Sequence, residues 1–224
     1  MKLAMKDIER ICDLLEAELG APKWASHNPP LDELVLTILS QNTTAANCRR
    51  AFDGLRSAFP AWEDVMNGPV DRIAQSIHHA GLSEIRAGRI KQILRRIYEE
   101  QGRLDLIAIE EMTIERAVEY LVGFEGVGPK TAACVLLFSL GKPAMPVDTH
   151  VHRVARLVGL IAPNAGADAA HRLLQEIVPP ERVYSFHMNT VRLGREVCRP
   201  REPKCDKCVL NRECDFGRRR LGAE

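Results

Sequence analysis

The sequence predicts an all-α protein whose C-terminal segment is ordered by a metal centre. Three observations support this fold class. Apolar residues recur at helical spacing along most of the 224 residues, no stretch alternates with period two, and four cysteines lie within seventeen residues near the C-terminus. A chain of this length forms one large domain or two small ones and buries about 70% of its unfolded surface.

Apolar stripes with the helical period predict the individual helices. One stripe runs from Ile85 to Ile97 behind Ser83, a candidate N-cap that follows Gly81. Similar stripes cover residues 7–19, 31–40, 45–58, 113–122, 130–140, 150–160, 167–177 and 180–196. Proline and glycine residues fall between the stripes, where they favour turns.

The apolar segments are too short for a membrane span, since the longest has nine residues and a span needs about 18. The first ten residues contain no secretory apolar region. Cys12, Cys48 and Cys134 lie within apolar helical patterns, where free thiols behave as small buried hydrophobes. We therefore expect a cytoplasmic protein without a membrane partner.

The charges are segregated although the net charge is only +1. Residues 86–96 contain five basic residues and no acid, and residues 192–220 contain ten basic residues against five acids. Residues 99–125 are acidic. This distribution predicts a basic face and an acidic face, although solvated charge runs are also common on helical proteins.

The cysteines Cys198, Cys205, Cys208 and Cys214 follow the pattern C-x6-C-x2-C-x5-C. A segment this short cannot build its own core, so ligation of one inorganic centre would supply its folding free energy. Structural zinc sites usually draw two close cysteine pairs from two loops, whereas iron–sulfur clusters take four thiolates. The spacing favours a cluster, with zinc and an unligated or disulfide-bonded segment as alternatives.

The segment from Phe124 to Lys130 reads FEGVGPK and separates two helical stripes. Gly126 and Gly128 flank Val127 in a tight turn, and proline suits the first position of the following helix. Glycines allow close approach of another molecule, and amides at a helix N-terminus bind phosphate. Asp148, eighteen residues after Lys130, starts another helical stripe and could serve as its cap.

Together these motifs resemble the endonuclease III family of DNA repair glycosylases, from the helix that contains Gln41 to Cys214. The resemblance rests on GVGPKTA, on VDTH eighteen residues later, and on the cysteine spacing. It implies a two-domain helix-hairpin-helix fold that binds double-stranded DNA with a damaged base or an abasic site. One domain would span residues 22–142, with the motif at about 113–140. The other would combine residues 1–21 with 143–224 and carry a [4Fe-4S] cluster on the four cysteines.

The resemblance also implies individual roles. Lys130 matches a catalytic lysine whose uncharged amine attacks the sugar, leaves a Schiff base and cuts the strand by β-elimination. Asp148 matches a catalytic aspartate that stabilises an oxocarbenium-like sugar. Gln41 would enter the space left by the flipped base, and Leu82 would be an apolar wedge on the opposite side. DNA phosphates would contact the hairpin residues Gly126, Val127 and Gly128 and the basic residues beside the cluster, namely Arg199, Arg201, Lys204 and Lys207.

Two departures from the family pattern bear on the substrate. Glu125 stands where the family often has proline, and Thr44 stands where many members carry aspartate in the base pocket. The expected activity is removal of damaged, oxidised pyrimidines followed by strand cleavage, by an enzyme that acts as a monomer. A thymine–guanine mismatch glycosylase, a DNA-binding module without catalysis and a redox sensor are the alternatives.

Overall fold

The computed structural model describes residues 7–222, and within this range every regular element is a helix. The all-α prediction is therefore confirmed. The helices that the apolar stripes predicted are all present, with ends within a few residues of the stripes. Three short helices, at 62–67, 70–76 and 215–221, had no predicted stripe.

Twelve α-helices follow one another in the described part of the chain, together with short 3-10 turns. They are α1 (Ile8–Leu19), α2 (Pro30–Ser40), α3 (Ala45–Ala58), α4 (Trp62–Asn67), α5 (Val70–Ser76), α6 (Ser83–Gln101), α7 (Ile114–Val122), α8 (Pro129–Leu140), α9 (Thr149–Val158), α10 (Ala167–Ile177), α11 (Val183–Glu196) and α12 (Asp215–Leu221).

The chain divides into two compact units. One comprises residues 26–142, and the other combines the residues up to Ala25 with those from Pro143 onward. The sequence placed the corresponding divisions after residues 21 and 142. Residues 1–6 and 223–224, which belong to the second predicted domain, lie outside the described residues.

The unit of residues 26–142 is built around α8. This helix is apolar on almost all sides, and its residues Thr131 to Leu137 are all buried. Helices α2 and α7 pack against it, and α6 packs against α4 and α5. A helix that is hydrophobic all round belongs in a core. Lys130, in its first turn, is therefore carried by a helix that is buried in the core of this unit.

The other unit is held together by polar contacts as well as by apolar packing. Helix α1 lies on α11, where Glu16 accepts hydrogen bonds from Ser185 Oγ at 2.5 Å and from Arg182 Nη1 at 2.9 Å. Helix α9 packs on α11 and α12. Arg10 Nε donates to Glu213 Oε1 at 2.6 Å, which connects α1 to the residue before Cys214.

Cys12, Cys48 and Cys134 are buried, as predicted, and none of the three is disulfide-bonded. Burial raises the pKa of the Cys12 thiol to about 12 and raises that of Cys48 as well. Across residues 7–222, none of the helices combines the length and the apolar character that crossing a membrane requires.

Candidate active site

The hairpin between α7 and α8 is fixed by two buried apolar side chains, Phe124 and Val127. Val127 N donates to Phe124 O at 3.1 Å and closes the turn. Gly126 has φ +78°, and a Cβ there would come within 2.9 Å of Arg89 Cδ. A Cβ on Gly128 would meet no atom of the described residues within 4 Å. The turn thus requires glycine at one position and leaves open space at the other, beside the first amides of α8.

The acidic residue of the hairpin is paired. Glu125 Oε1 lies 3.5 Å from Arg89 Nε, and the carboxylate side chain is largely exposed. An exposed pair of this kind adds little stability, between about 0 and 1 kcal/mol. Its effect is to place a cation beside the hairpin carboxylate, which reduces repulsion of an approaching phosphate.

Lys130 lies on the wall of a cavity of about 240 Å³ within the unit of residues 26–142. Three helices contribute to this wall. The first is one face of α2, where Glu33, Leu36, Thr37 and Ser40 recur at helical spacing. The start of α3 adds Ala45, Cys48 and Arg49, and α8 adds Lys130, Cys134 and Phe138. The cavity has room for a ring-shaped ligand, because a cavity of about 150 Å³ in another protein accepts benzene.

Asp148 is the N-cap of α9 in the other unit. Its Oδ1 accepts hydrogen bonds from His150 N at 2.9 Å and from Val151 N at 2.8 Å. Both bonds use the same oxygen, so Oδ2 keeps its acceptor capacity. The capping role that the sequence allowed is therefore present, and it leaves a carboxylate oxygen available for a second role.

Arg153, on α9, is held by three contacts within its own unit. Its Nη2 donates to Gly194 O at 2.8 Å and contacts His150 Nδ1 at 3.2 Å, and its Nε donates to Cys198 O at 3.1 Å. This arginine connects α9 and α11 to the first residue of the cysteine segment. Its role in the described structure is to position that segment.

Gln41 follows the last residue of α2, and Leu82 follows the turn before α6. Gln41 Nε2 donates to Gly126 O at 3.1 Å, so this side chain connects the end of α2 to the hairpin. Leu82 is 64% exposed and has φ +49° and ψ +37°. It, and not Ser83, occupies the N-cap position of α6, because the helix begins at Ser83 itself. A left-handed backbone at an exposed leucine is costly and is typical of a functional position.

The predicted basic face over residues 86–96 is wrong for Arg86, and two more of its cations are bound to groups of the same unit. Arg86 is only 3% exposed and donates to three backbone carbonyls. Lys91 donates to Gly68 O, and Arg96 donates to Glu100 Oε1 at 2.7 Å and to Gly123 O at 2.7 Å. These cations satisfy backbone and carboxylate groups inside the unit, which a count of charges along the sequence does not reveal.

The four cysteines of the C-terminal segment line a single small cavity of about 20 Å³, together with Leu157 and Phe216. All four are free. Cys214 Sγ accepts from Gly217 N at 3.3 Å. Across residues 7–222, no group of three or more His, Cys, Asp and Glu side chains is arranged to hold a single metal ion. All four cysteines border this cavity, and four cysteine thiolates are the donor set that an iron–sulfur cluster takes.

Ionisation is unfavourable for three of the four thiols in this cavity. Burial raises the pKa of Cys198 and Cys214 and raises that of Cys208 to about 11, and neighbouring cysteines add to each increase. Four thiolates in one buried cavity would repel each other without a cation. A bound metal centre would offset that repulsion, because its positive charge stabilises the thiolates and each coordinating thiol releases its proton to solvent.

The basic residues near the cysteines face solvent, as a phosphate contact requires. Arg199, Arg201, Lys204 and Lys207 are all exposed. None of the ion pairs found among residues 7–222 involves any of the four. Their side chains are therefore available to an anionic partner. Their assignment to DNA stays a prediction.

Thr44 acts as the N-cap of α3, where its Oγ1 accepts from Asn47 N at 3.2 Å. The cavity wall instead includes the next residue, Ala45. Sequence reasoning also missed Glu33, a buried acid on that wall. A signal was available, since Glu33 falls in helical phase with Thr37 and Ser40 on a helix that is otherwise mainly apolar.

Comparisons with known proteins agree with these features. The model of the HhH-GPD superfamily of base excision DNA repair proteins matches residues 35–180. A putative DNA glycosylase of Arabidopsis thaliana is 38% identical over 82% of this chain, which spans 62% of that protein. Endonuclease III of Thermotoga maritima is 29% identical over 89% of each chain.

The fold matches a solved structure described as a non-covalent endonuclease III–DNA complex, with a TM-score of 0.81 and 25% identity. The superposition covers 96% of this chain and 97% of the other. The resemblance to the endonuclease III family is therefore confirmed. The chain belongs to the HhH-GPD superfamily of base excision DNA repair proteins.

Proposed function

We propose that the protein removes damaged pyrimidines from double-stranded DNA and then cuts the strand at the resulting abasic site, with Lys130 as the nucleophile. The observation that carries this proposal is the position of Lys130. It directly follows the glycine hairpin, in the first turn of the buried helix α8, and it lies on the wall of a cavity with room for a heterocyclic ring.

The hairpin supports the first step, which is capture of the DNA backbone. The open space at Gly128 and the first amides of α8 suit a phosphate. Gln41, which reaches the hairpin carbonyl, and the exposed Leu82 would act on the duplex when a nucleotide is rotated out of it. Such rotation costs a few kcal/mol and least for a damaged or mispaired base.

In the chemical step the lone pair of the uncharged Lys130 amine forms a bond to the sugar C1′. The bond from C1′ to the base breaks, and the base leaves with that electron pair and takes up a proton. Opening of the sugar ring gives a Schiff base between Lys130 and C1′. Loss of a C2′ proton then expels the 3′ phosphate by β-elimination. We assign Asp148 to the stabilisation of positive charge on the sugar, since its Oδ2 is not used by the cap.

We also propose that Cys198, Cys205, Cys208 and Cys214 hold a [4Fe-4S] cluster, which would order the segment through four iron–thiolate bonds. Support comes from the shared cavity and from the repulsion that the gathered thiols would otherwise suffer. Chemical analysis of the purified protein should give about four irons and four acid-labile sulfides per chain. Stoichiometric zinc in place of iron would contradict the assignment.

The lyase step is tested by borohydride reduction of the enzyme with a duplex that contains one abasic site. Wild-type protein should form a covalent protein–DNA adduct, and Lys130→Ala should form none. Lys23→Ala, which removes an exposed lysine outside the cavity, is the matched control and should trap DNA as the wild type does. A wild-type protein that binds the duplex without any adduct would instead support the non-catalytic module. Release of thymine opposite guanine in preference to damaged pyrimidines would support the mismatch glycosylase.

A further inference from the structure

A buried carboxylate faces the same cavity as Lys130. Glu33 is 5% exposed and lies on the wall face of α2, two turns before Ser40. Glutamate is almost never this buried unless a partner compensates for the loss of water. The function of the carboxylate can therefore be inferred from the residues around Glu33.

The partners of Glu33 within the protein are neutral. Its Oε2 accepts from Asn28 Nδ2 at 2.6 Å, and its Oε1 lies 3.5 Å from Thr37 Oγ1, which is at the limit of a hydrogen bond. No ion pair found among residues 7–222 includes Glu33. A carboxylate has about four acceptor positions. Strong hydrogen-bond acceptor capacity therefore remains beside the cavity.

The remainder of the cavity wall fits a flat, polar ring. Cys134 and Phe138 are mainly apolar, while Lys130 and Arg49 carry positive charge. Burial raises the pKa of Cys48, the cations Arg49, Arg86 and Lys130 oppose the increase, and Glu33 adds to it. Glu33, Arg49 and Lys130 are therefore all close enough to act on the same thiol of the wall. A ligand in this space would meet a hydrogen-bond acceptor at Glu33 and donors at the two cations.

The hydrogen-bonding chemistry of pyrimidines separates two classes of base. Cytosine and its derivatives carry an amino group at C4, which donates hydrogen bonds. Uracil and thymine derivatives carry a carbonyl oxygen there, which a carboxylate would repel. Glutamate and aspartate are accordingly the side chains that accept from cytosine N4 in protein–DNA complexes.

We propose that Glu33 binds the C4 amino group of the extruded base and so makes the enzyme selective for cytosine-derived lesions over uracil- and thymine-derived ones. This inference rests on the proposed function, since it places the base in the cavity beside Lys130. It assigns Glu33 a role in base selection and no role in the reaction at C1′.

The test uses two lesions that differ in the substituent at C4, 5-hydroxycytosine and 5-hydroxyuracil, each opposite guanine in the same duplex. Single-turnover excision rates are measured for wild type and for Glu33→Gln. The ratio of the 5-hydroxycytosine rate to the 5-hydroxyuracil rate should fall by about tenfold in the variant, because one good base contact discriminates by about that much. The ratio is measured on one enzyme preparation, so a general loss of activity cancels.

Asp32→Asn is the matched control, because Asp32 is the neighbouring acid of α2 but accepts from Trp62 Nε1 at 2.9 Å and does not line the cavity. Its ratio should equal that of the wild type. Glu33→Asp, which withdraws the carboxylate from the cavity, gives a second variant if Glu33→Gln does not fold, and its ratio should also fall.

An unchanged ratio in a folded Glu33 variant would overturn the inference. So would a ratio that falls equally in Asp32→Asn. Failure of the proposed function is distinguishable, since it would appear as a wild-type protein that forms no borohydride adduct with an abasic duplex.

Discussion

The guanidinium of Arg86 donates a hydrogen bond to the backbone carbonyl of Gln41. The same group donates to Leu39 O at 2.7 Å and to Ala80 O at 2.9 Å. One buried side chain therefore joins the end of α2 to the turn that precedes Leu82. Arg86 therefore fixes the backbone next to both Gln41 and Leu82, the two residues expected to act on the duplex. The hydrogen bonds of its guanidinium go to backbone carbonyls and not to a carboxylate.

Replacement of Arg86 by leucine should lower the free energy of unfolding by about 3 kcal/mol. The reason is that buried carbonyls lose their donors, and each unsatisfied group costs about 1–3 kcal/mol. Urea denaturation measures the change. Arg95→Leu, at an exposed position of the same helix, is the control and should stay within about 0.5 kcal/mol of wild type. Equal effects at the two sites would show that Arg86 makes no special contribution.

Gly126→Ala should destabilise the hairpin. Its φ of +78° is unfavourable for alanine by about 1–2 kcal/mol, and the new Cβ would displace Arg89. Gly88→Ala should act in the opposite direction, because Gly88 lies inside α6 with open space around its Cβ position. Alanine there should stabilise the helix by up to about 1 kcal/mol. Thermal unfolding of both variants compares the signs, and a stabilising Gly126→Ala would contradict the turn geometry.

Asp148→Asn separates the capping role from the charge. Asparagine caps a helix about as well as aspartate, so the melting temperature and the affinity for DNA should change little. Turnover should fall about a thousandfold, if the carboxylate stabilises a cation by roughly 4 kcal/mol. Asp148→Ala, in contrast, should also lose about 1 kcal/mol of stability with the cap. A fully active Asp148→Asn enzyme would reduce Asp148 to a structural residue.

Lys204→Ala should weaken DNA binding and reduce its dependence on salt. Each phosphate contact releases about 0.9 counterions, so the slope of log K against log salt should fall by about that amount. Fluorescence anisotropy at several salt concentrations measures the slope. Arg103→Ala removes an exposed arginine that pairs with Asp105, and its slope should match the wild type. If Lys204→Ala keeps the wild-type slope, this lysine does not contact phosphate.

The sequence by itself determined the helices and the turns between them. Pro129 begins α8, and Gly102 and Gly141 end α6 and α8 in the left-handed conformation. These features depend on periodicity, on fixed or positive φ and on local hydrogen bonds, so a short window of residues contains the required information. The hairpin and the cysteine spacing are local in the same sense, and they sufficed to indicate the family.

Only the tertiary structure decided which charged residues are buried and what they contact. Arg86 lies in a run that suggested a solvated basic face, yet it binds carbonyls up to 47 residues away. Glu33 resembles an ordinary acid in a first helical turn. In the structure it lines a cavity together with residues of α8, a helix that begins nearly a hundred residues later. A side chain's surroundings are set by segments remote in sequence, and no local pattern specifies which segments will meet.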